Sequence, residues 1–290
     1  TARNSRVAAN RARELGADCR DGAVVRGIEL SGGGGAHAVS FEHDGASHTL
    51  HARWVVDAAG RAGLLKRKLG LAEANGHDAN AAWWRVDGHI DLDAWSDEGN
   101  WPTRFLPAER WKSTNHMCGP GYWFWLIPLA SDSHSLGIVC DAKMHPLDTM
   151  NTHEKAMYWL RRHQPRAARA LEQPQHQLQD FLFLRHFSHG CKQVYSGQRW
   201  ALTGEAGVFL DPFYSPGSDF IALSNTYIAE LVRLDFDGQP TGPYADLFQQ
   251  LYFSFYEHTP TLYQDQYPIS RHPAAMPITF LAAAPISLPI

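Results

Sequence analysis

The sequence predicts a mixed α/β (α+β) fold in which an antiparallel sheet is inserted into a lobe of strand-turn-helix units. Residues 53–71 run from an apolar strand through a glycine turn into a helix, and residues 199–233 follow the same order. Between them, residues 81–141 contain short apolar runs rich in tryptophan, which are typical of antiparallel strands. The order of these segments favours one lobe built from the outer two and a second lobe between them.

The composition excludes several classes of function. Of the 290 residues, 19% are charged and 12% are aromatic, with 10 tryptophans, which favours a protein with an apolar pocket over a charged scaffold. The net charge of -4, without a basic face, predicts no nucleic-acid partner. The sequence has no apolar run of about 18 residues and no leader pattern, so we expect no membrane partner.

The cysteines and histidines predict no metal site. The four cysteines are far apart and form no C-x-x-C pair, which favours buried free thiols and a cytoplasmic protein. His186, His189 and Cys191 have the spacing most like a ligand set, but no carboxylate lies at a suitable distance, so hydrogen-bonded histidines are favoured. Three further histidines lie in polar loops and are expected to have no special role: His43, His77 and His145.

Periodicity and turn residues predict the individual elements. The predicted strands cover residues 23–30, 37–41, 48–57, 81–90, 120–129, 135–141 and 199–203. The predicted helices cover residues 5–16, 151–172, 218–233 and 244–263. The first three strands are expected to form a meander, with the glycine run at 31–35 as a hairpin loop. Asn151, with Glu154 three residues later, is expected to cap the second helix, which Pro165 interrupts.

A glycine- and proline-rich loop before the helix at 218–233 is the first candidate site. It contains Gly204-Glu205-Ala206 and the run from Asp211 to Gly217. A helix N-terminus carries partial positive charge and unpaired N–H groups, so such a loop can hold an anion or an electron-rich ring edge. The Glu205 carboxylate could accept hydrogen bonds from a polyol. On spacing alone, an ordinary strand-loop-helix connection remains the alternative.

Two shorter motifs accompany this loop. In the run W-x-W-x-I-P, Trp123, Trp125 and Ile127 alternate along a predicted strand, so they are expected to share one face, with both indoles toward a cavity. A sheet core lined by tryptophan is the alternative. Residues 57–61 place D-x-x-G-R at the end of a predicted strand, an arrangement that often frames a nucleotide but is also common elsewhere.

Together these motifs resemble those of the flavin-dependent halogenases (tryptophan halogenase-like), within the FAD-dependent oxidoreductases that resemble para-hydroxybenzoate hydroxylase. The flavin-contacting pattern of that class is G-D-A, a short spacer, D-P-x-x-S-x-G and a helix. It is matched by Gly204, Ala206, Asp211, Pro212, Ser215 and Gly217. Glu205 stands where the family usually has Asp, which keeps the acceptor and lengthens it by one methylene group. W-x-W-x-I-P resembles the hallmark of the halogenases, and D-x-x-G-R resembles the strand end that approaches the dinucleotide.

The resemblance implies a glutathione-reductase-like FAD-binding Rossmann lobe that lacks its first βαβ unit, with an inserted antiparallel-sheet substrate lobe. The implied domains are a partial FAD-binding lobe at 1–77 and 192–235, the substrate lobe at 78–191 and a C-terminal helical segment at 236–290. The family's G-x-G-x-x-G and the lysine that follows it have no counterpart here, so an N-terminally shortened family member is expected. No catalytic residue is identified within the chain.

The resemblance also implies the site residues. The cofactor-binding residues are Asp57, Gly60, Arg61, Gly204, Glu205, Ala206, Asp211, Pro212, Ser215, Pro216 and Gly217. The substrate-pocket residues are Trp123, Trp125, Ile127 and Pro128. By the same resemblance, the helix that begins near Ser218 directs its positive end at the N1/C2=O edge of the flavin.

The implied activity is that of an FAD-dependent halogenase, which uses reduced flavin and O2 to halogenate an electron-rich aromatic substrate. FAD would be reduced by a separate flavin reductase or by NAD(P)H. The small aromatic substrate, O2, halide and a flavin reductase are therefore the expected partners. Two alternatives stay open: a flavin monooxygenase (hydroxylase) or reductase of the same fold, and a non-catalytic fragment.

Overall fold

A computed structural model describes residues 2–32, 34–104, 109–213 and 215–259. Within them the helices are α1 Ala2–Glu14, α2 Leu64–Lys68, α3 His153–His163, α4 Pro165–Leu171, α5 Pro216–Phe236 and α6 Gly242–His258. The strands are β1 Val24–Glu29, β2 His37–His43, β3 Ala46–Ala52, β4 Val55–Asp57, β5 Ala72–Glu73, β6 Ala79–Asp87, β7 Asn115–Gly119, β8 Tyr122–Leu129, β9 Ser133–Asp141, β10 Leu178–Leu184, β11 Gly190–Cys191, β12 Tyr195–Ser196 and β13 Trp200–Leu202.

The described chain forms two compact units. Unit 1 comprises the described residues of Thr1–Leu71, Gln193–Gly207 and Asn225–Gln249. Unit 2 comprises those of Ala72–Lys192, Val208–Ser224 and Gln250–Ile290. The domain boundaries implied by the resemblance stay a prediction, and residues 260–290 of its C-terminal segment lie outside the described residues. In the described segments, no helix is long and apolar enough to cross a membrane.

Unit 1 contains two small sheets. The antiparallel meander β1-β2-β3 is confirmed, but the third predicted strand, 48–57, is in fact two strands. β3 pairs with β2, whereas β4 joins the sheet β12-β13-β4. The break falls at Arg53 and Trp54, whose side chains both bind the Asp235 carboxylate of α5 at 2.6 and 2.8 Å. These contacts turn the chain out of the meander.

The second sheet of unit 1 contains a parallel pair. β13 runs parallel to β4, with Leu202 opposite Asp57 at their carboxyl ends. Parallel neighbours end at the same edge of a sheet, where open α/β folds bind their ligands. The two predicted motifs D-x-x-G-R and G-E-A follow these two strands directly.

Unit 2 is built on a five-stranded antiparallel sheet in the order β10-β6-β9-β8-β7. α3 and α4 belong to the apolar cluster on one face, around Trp84, Phe124, Leu136 and Leu160. The opposite face carries Trp123 and belongs to a second apolar cluster. The strands predicted at 81–90, 120–129 and 135–141 correspond to β6, β8 and β9. β7 and β10 were not predicted, because neither edge strand shows the clean alternation of apolar and polar residues that marks a half-buried strand.

The helical predictions hold with shifted ends. The predicted helix at 151–172 is divided into α3 and α4, and Pro165 is the first residue of α4, where its missing N–H costs nothing. The cap is Thr152 and not Asn151, because the Thr152 hydroxyl accepts the Lys155 backbone N–H. α6 corresponds to the helix predicted at 244–263, of which residues 260–263 lie outside the described residues.

Candidate functional site

In unit 1, two turns meet at the carboxyl ends of the parallel strands. Residues Gly60–Ala62 form a 3-10 turn after β4, and residues Gly204–Ala206 form another after β13. The two turns pack against each other. Gly60 and Gly204 have φ values of 58° and 59°, which glycine adopts without strain. A Cβ at Gly60 would meet no atom within 4 Å. The structure thus brings together the six predicted cofactor residues of the two motifs: Asp57, Gly60, Arg61, Gly204, Glu205 and Ala206.

The Asp57 carboxylate holds the first of these turns from within. Its side chain is buried, with Oδ1 accepting the Ala59 backbone N–H at 2.9 Å and Oδ2 accepting that of Leu65 at 2.7 Å. These bonds fix the glycine turn and the first turn of α2 to the end of β4. Asp57 therefore shapes the backbone on which a ligand would rest, since both of its oxygens are engaged within the protein.

Lys66 supports the second turn and was not singled out from the sequence. It is 7% exposed, and its Nζ donates to the Gly207 carbonyl oxygen at 2.6 Å. A buried ammonium group requires such partners. Lys66 lies in a run of basic residues in α2, so no feature of the sequence marks it as the buried one.

Glu205 has a different environment from that of Asp57. Its side chain is half-buried, and its carboxylate accepts no hydrogen bond from any residue that the structure describes. A partly buried carboxylate at a strand-end turn can accept hydrogen bonds from the hydroxyl groups of a polyol. The Glu205 carboxylate therefore fits the polyol part of a flavin dinucleotide as an acceptor.

In unit 2, the bend between Leu210 and α5 is anchored by Asp211. The Asp211 side chain is fully buried, and its Oδ1 accepts the Phe213 backbone N–H at 2.9 Å. Its Oδ2 lies 2.8 Å from Nε2 of His77, whose side chain is 8% exposed. His77 is therefore buried and paired, whereas the sequence indicated a position in a polar loop. The pair could not be predicted from the sequence, because 134 residues separate its members.

The bend rests on the W-x-W-x-I-P strand through Phe213. The Phe213 ring lies 4.9 Å from that of Trp123, at an interplanar angle of 37°. His116 of β7 meets both rings edge-on, at 5.1 Å from Phe213 and 5.2 Å from Trp123. Trp123 is consequently only 5% exposed. Desolvation by these neighbours lowers the pKa of His116, although the nearby Asp211 charge acts in the opposite direction.

The two indoles share one face of β8, as predicted. Trp123 and Trp125 lie 5.6 Å apart at 41°, on the side of the sheet opposite the Phe124 ring. Gly137 of β9 makes room for Trp125, since a Cβ there would lie 2.1 Å from the indole. The Trp125 Nε1–H donates to the Ser135 hydroxyl at 3.2 Å. The remaining predicted pocket residues, Ile127 and Pro128, are half-buried on the same strand.

The bend leads into the N-terminus of α5. Ser215 has a φ of 57°, and its N–H donates to the Pro212 carbonyl at 2.9 Å, which closes the turn before the helix. α5 begins at Pro216, two residues before the predicted start. A Cβ at Gly217 would meet no atom within 4 Å. Among the described residues, a side chain at position 217 would therefore find space, and Asp219 is the acidic residue of the first turn of α5.

The histidines form hydrogen bonds and ion pairs. His186 pairs with Asp78 at 2.5 Å, and His189 pairs with Phe209 in an isolated bridge. No group of three or more His, Cys, Asp or Glu residues that could hold a metal ion occurs in the described segments. The hydrogen-bonded role favoured for His186 is confirmed.

Comparison with known proteins defines the class of the chain. A model of the family described as FAD binding domain matches residues 3–169, more than half of the sequence. The chain therefore belongs to the FAD binding domain family. FAD is the cofactor of this family, so the predicted cofactor is confirmed at this level.

Individual relatives give a narrower placement. Tetracycline 7-halogenase of Kitasatospora aureofaciens is 30% identical over 73% of this chain and 37% of its own length. The 1H-pyrrole-2-carbonyl-(peptidyl-carrier protein) chlorinase of Pseudomonas fluorescens is 26% identical over 77% of this chain and 47% of its own. The predicted place among the flavin-dependent halogenase-like proteins is thereby confirmed. The chain spans half or less of the length of these curated relatives.

Solved structures show the same fold. The flavin-dependent halogenase CmlS superposes with a TM-score of 0.68 at 22% identity, over 86% of this chain and 42% of its own. Halogenase PltM, solved in complex with phloroglucinol and FAD, gives a TM-score of 0.71 at 18% identity, over 82% of this chain and 47% of its own. These likenesses confirm the predicted mixed α/β, Rossmann-like fold class.

Proposed function

We propose that the chain binds FAD through the residues that the sequence motifs single out. In unit 1, Gly60 and Gly204 would let the cofactor approach the backbone closely, and Glu205 would accept hydrogen bonds from its polyol chain. In unit 2, the N-terminus of α5 at Gly217 would offer partial positive charge to an electron-rich ring edge. Asp57 and Asp211 would shape these segments from within.

We further propose that the whole protein is an FAD-dependent halogenase. The observation that supports this most directly is the contact between Phe213 of the D-P-x-x-S-x-G bend and Trp123 of the W-x-W-x-I-P strand, 4.9 Å apart. It joins the motif assigned to the flavin with the motif assigned to halogenation. Reduced FAD would supply the electrons with which O2 is activated for oxidation of halide. The surrounding aromatic side chains would exclude water from the reacting groups.

The proposed substrate is a small, electron-rich aromatic ring such as an indole, phenol or pyrrole. Trp125 is partly exposed and would offer a flat apolar surface to such a ring, with its Nε1 fixed by Ser135, whereas Phe213 covers the neighbouring Trp123. Halide, O2 and a flavin reductase are the other proposed partners. Hydroxylation is the second candidate activity, since the same aromatic face would serve it equally.

A cytoplasmic location is part of the proposal. Within the described residues none of the four cysteines forms a disulfide, and two of them, Cys140 and Cys191, are buried. Proteins of oxidising compartments typically form disulfides, so cysteines without them favour a reducing environment. Fluorescence microscopy of the tagged full-length protein in its source cells would test this location.

FAD binding is tested by blocking the approach at α5 without disturbing its packing. Gly217→Val adds a side chain where a Cβ has no neighbour within 4 Å, so we expect unchanged thermal stability and an FAD dissociation constant raised by about tenfold or more. Gly242→Val is the matched control, because Gly242 begins α6 and its Cβ would also meet no neighbour. Equal FAD affinity in the two variants would contradict the assignment of the α5 N-terminus.

Activity is tested with the full-length protein, FAD, NADH and a flavin reductase. Indole, phenol and pyrrole substrates are supplied with chloride or bromide, and products are followed by mass spectrometry. Halogenated products, recognised by their isotope pattern and absent without halide, are expected. Clean hydroxylation independent of halide would favour the monooxygenase. A wild-type protein that binds no FAD would leave the non-catalytic alternative.

A further inference from the structure

We propose that His77 is a positioning residue for the bend at 211–217, and that Phe213 limits how much of the Trp123 face a substrate ring can reach. The proposal rests on the proposed function, in which the bend belongs to the FAD site and Trp123 to the substrate site. It adds two residues, His77 and Phe213, that no motif contains as functional positions.

His77 and Asp211 form a buried pair. The two side chains are 8% and 0% exposed, and the histidine Nε2 lies 2.8 Å from the carboxylate oxygen. A carboxylate without access to water requires donors within the protein. The His77 ring is itself packed edge-on against Phe187, with ring centroids 6.5 Å apart. Phe187 therefore holds the His77 ring in place, and His77 holds the Asp211 carboxylate.

Asp211 in turn holds the backbone of Phe213. The carboxylate oxygen that does not face His77 accepts the Phe213 backbone N–H at 2.9 Å, as in an Asx turn. This bond sets the direction in which the Phe213 side chain leaves the bend. The ring then covers Trp123, which is 5% exposed. A change at His77 is thus expected to reach Trp123 through two hydrogen bonds and one ring contact.

Phe213 limits the access of a substrate ring to Trp123. Phe213 occupies one face of Trp123, while His116 meets the same two rings edge-on. A planar substrate that stacks on Trp123 must share this face with Phe213 or displace it. The size of the side chain at 213 and its position therefore determine the aromatic rings that the site accepts.

A second histidine–aspartate pair in unit 2 provides the matched comparison. His186 and Asp78 lie 2.5 Å apart, but their side chains are 58% and 46% exposed. Exposed pairs of this kind contribute little to structure, because water replaces either partner. The two pairs have the same chemistry and differ in burial.

The experiment compares His77→Leu, His77→Gln and His186→Leu in the 290-residue chain. Hydrogen exchange of the Phe213 amide is measured without cofactor, and FAD affinity is measured separately. We expect His77→Leu to speed this exchange, and to raise the FAD dissociation constant, by about tenfold each. His77→Gln should restore both to within about threefold, because its side-chain amide can still donate to Asp211. His186→Leu should change neither.

Two results would overturn the proposal: unchanged Phe213 exchange in His77→Leu, or a folded His77→Gln that behaves like His77→Leu.

Should His77→Leu fail to fold, Phe213→Ala tests the same chain of contacts. It is expected to increase acrylamide quenching of tryptophan fluorescence and to tighten binding of indole, and the absence of both effects would contradict the role of Phe213. Because exchange is measured without FAD, failure of the wild type to bind FAD refutes the proposed function, whereas unaltered exchange refutes only the positioning role.

Discussion

His134 is a histidine that folding keeps neutral. It lies in β9 with no exposed surface, and its Nδ1 accepts the Ile90 backbone N–H at 3.1 Å. Its Nε2 has no hydrogen-bond partner among the described residues. Burial, with smaller contributions from His89 and His176, lowers the pKa of His134 to about 4. Protonation in the folded protein is therefore unfavourable, while the unfolded chain takes up the proton near the ordinary histidine pKa of about 6.5.

This difference predicts a loss of stability in acid. A depressed histidine pKa contributes stability above pH of about 6.5, and that contribution falls as the pH drops toward about 4, by up to roughly 3 kcal/mol. His134→Asn keeps an acceptor for Ile90 but cannot titrate, so its free energy of unfolding should vary less over this range. Urea titrations at several pH values measure how the free energy of unfolding changes with pH. The exposed His51→Asn serves as control. An equal pH dependence of the free energy of unfolding in wild type and His134→Asn would contradict the prediction.

The Trp125 indole on the neighbouring strand requires a glycine at position 137. An added Cβ would lie 2.1 Å from the Trp125 indole, so Gly137→Ala must move that ring or the strand. We expect a loss of about 1–3 kcal/mol in the free energy of unfolding, together with a changed near-ultraviolet circular dichroism signal. Gly99→Ala is the control, since its Cβ would meet no atom within 4 Å. Equal effects of the two substitutions would mean that Trp125 moves freely.

Single residues differed widely in how well the sequence predicted them. The placement of Trp123 and Trp125 on one face of a strand was predictable, since a strand places every second side chain on the same face. The partners of Asp211 and Gly207 were not, because His77 and Lys66 lie far from them along the chain. No local pattern records which of several similar side chains becomes buried.

At the scale of elements, the start of α3 gives a direct test. Thr152→Ala removes the hydroxyl that accepts the Lys155 N–H, and the free energy of unfolding should fall by about 1 kcal/mol. Asn151→Ala, at the position that the sequence favoured as the cap, should have a clearly smaller effect. Chemical denaturation of the two variants measures both. A larger loss for Asn151→Ala would favour the original assignment over the structure.

The central elements were predictable and the edges were not. Strands β6, β8 and β9 lie inside the sheet or bear the long apolar runs that identify them. β10 is LQDFLFL with mixed exposure, and β7 is only five residues long, so neither has a clear period. The division of residues 48–57 into two strands depends on Asp235, more than 170 residues later. Such long-range partners decide where an element ends.

At the scale of the whole molecule, the rate at which each of the four thiols is labelled should follow its exposure to solvent. Burial raises the pKa of Cys140 to about 12 and that of Cys118 to about 11, and Cys191 is buried as well. Only thiolates react with maleimide or iodoacetamide, so the partly exposed Cys19 should be labelled first in the native protein. Peptide mass spectrometry locates the label, and full labelling should require denaturant. Fast native labelling of Cys140 would contradict the described packing.

The fold class and the motif-bearing turns were accessible from the sequence because they rest on local order: a strand, a glycine turn and a helix. The apolar contact between the bend and β8 required the assembled chain, since Phe213 and Trp123 are separated by 90 positions of sequence. The roles of the site residues stay a prediction from their motifs, while the contacts that hold each motif in place came from tertiary structure.

The outer strand of the unit 2 sheet has a practical consequence. β10 pairs only with β6 among the described strands, and Leu178, Leu182 and Phe183 are each nearly half exposed along it. An unprotected apolar strand of this kind can recruit a like strand from a neighbouring molecule. Concentrated samples would then precipitate by self-association rather than by unfolding, and replacing Leu182 with lysine would keep them clear for longer.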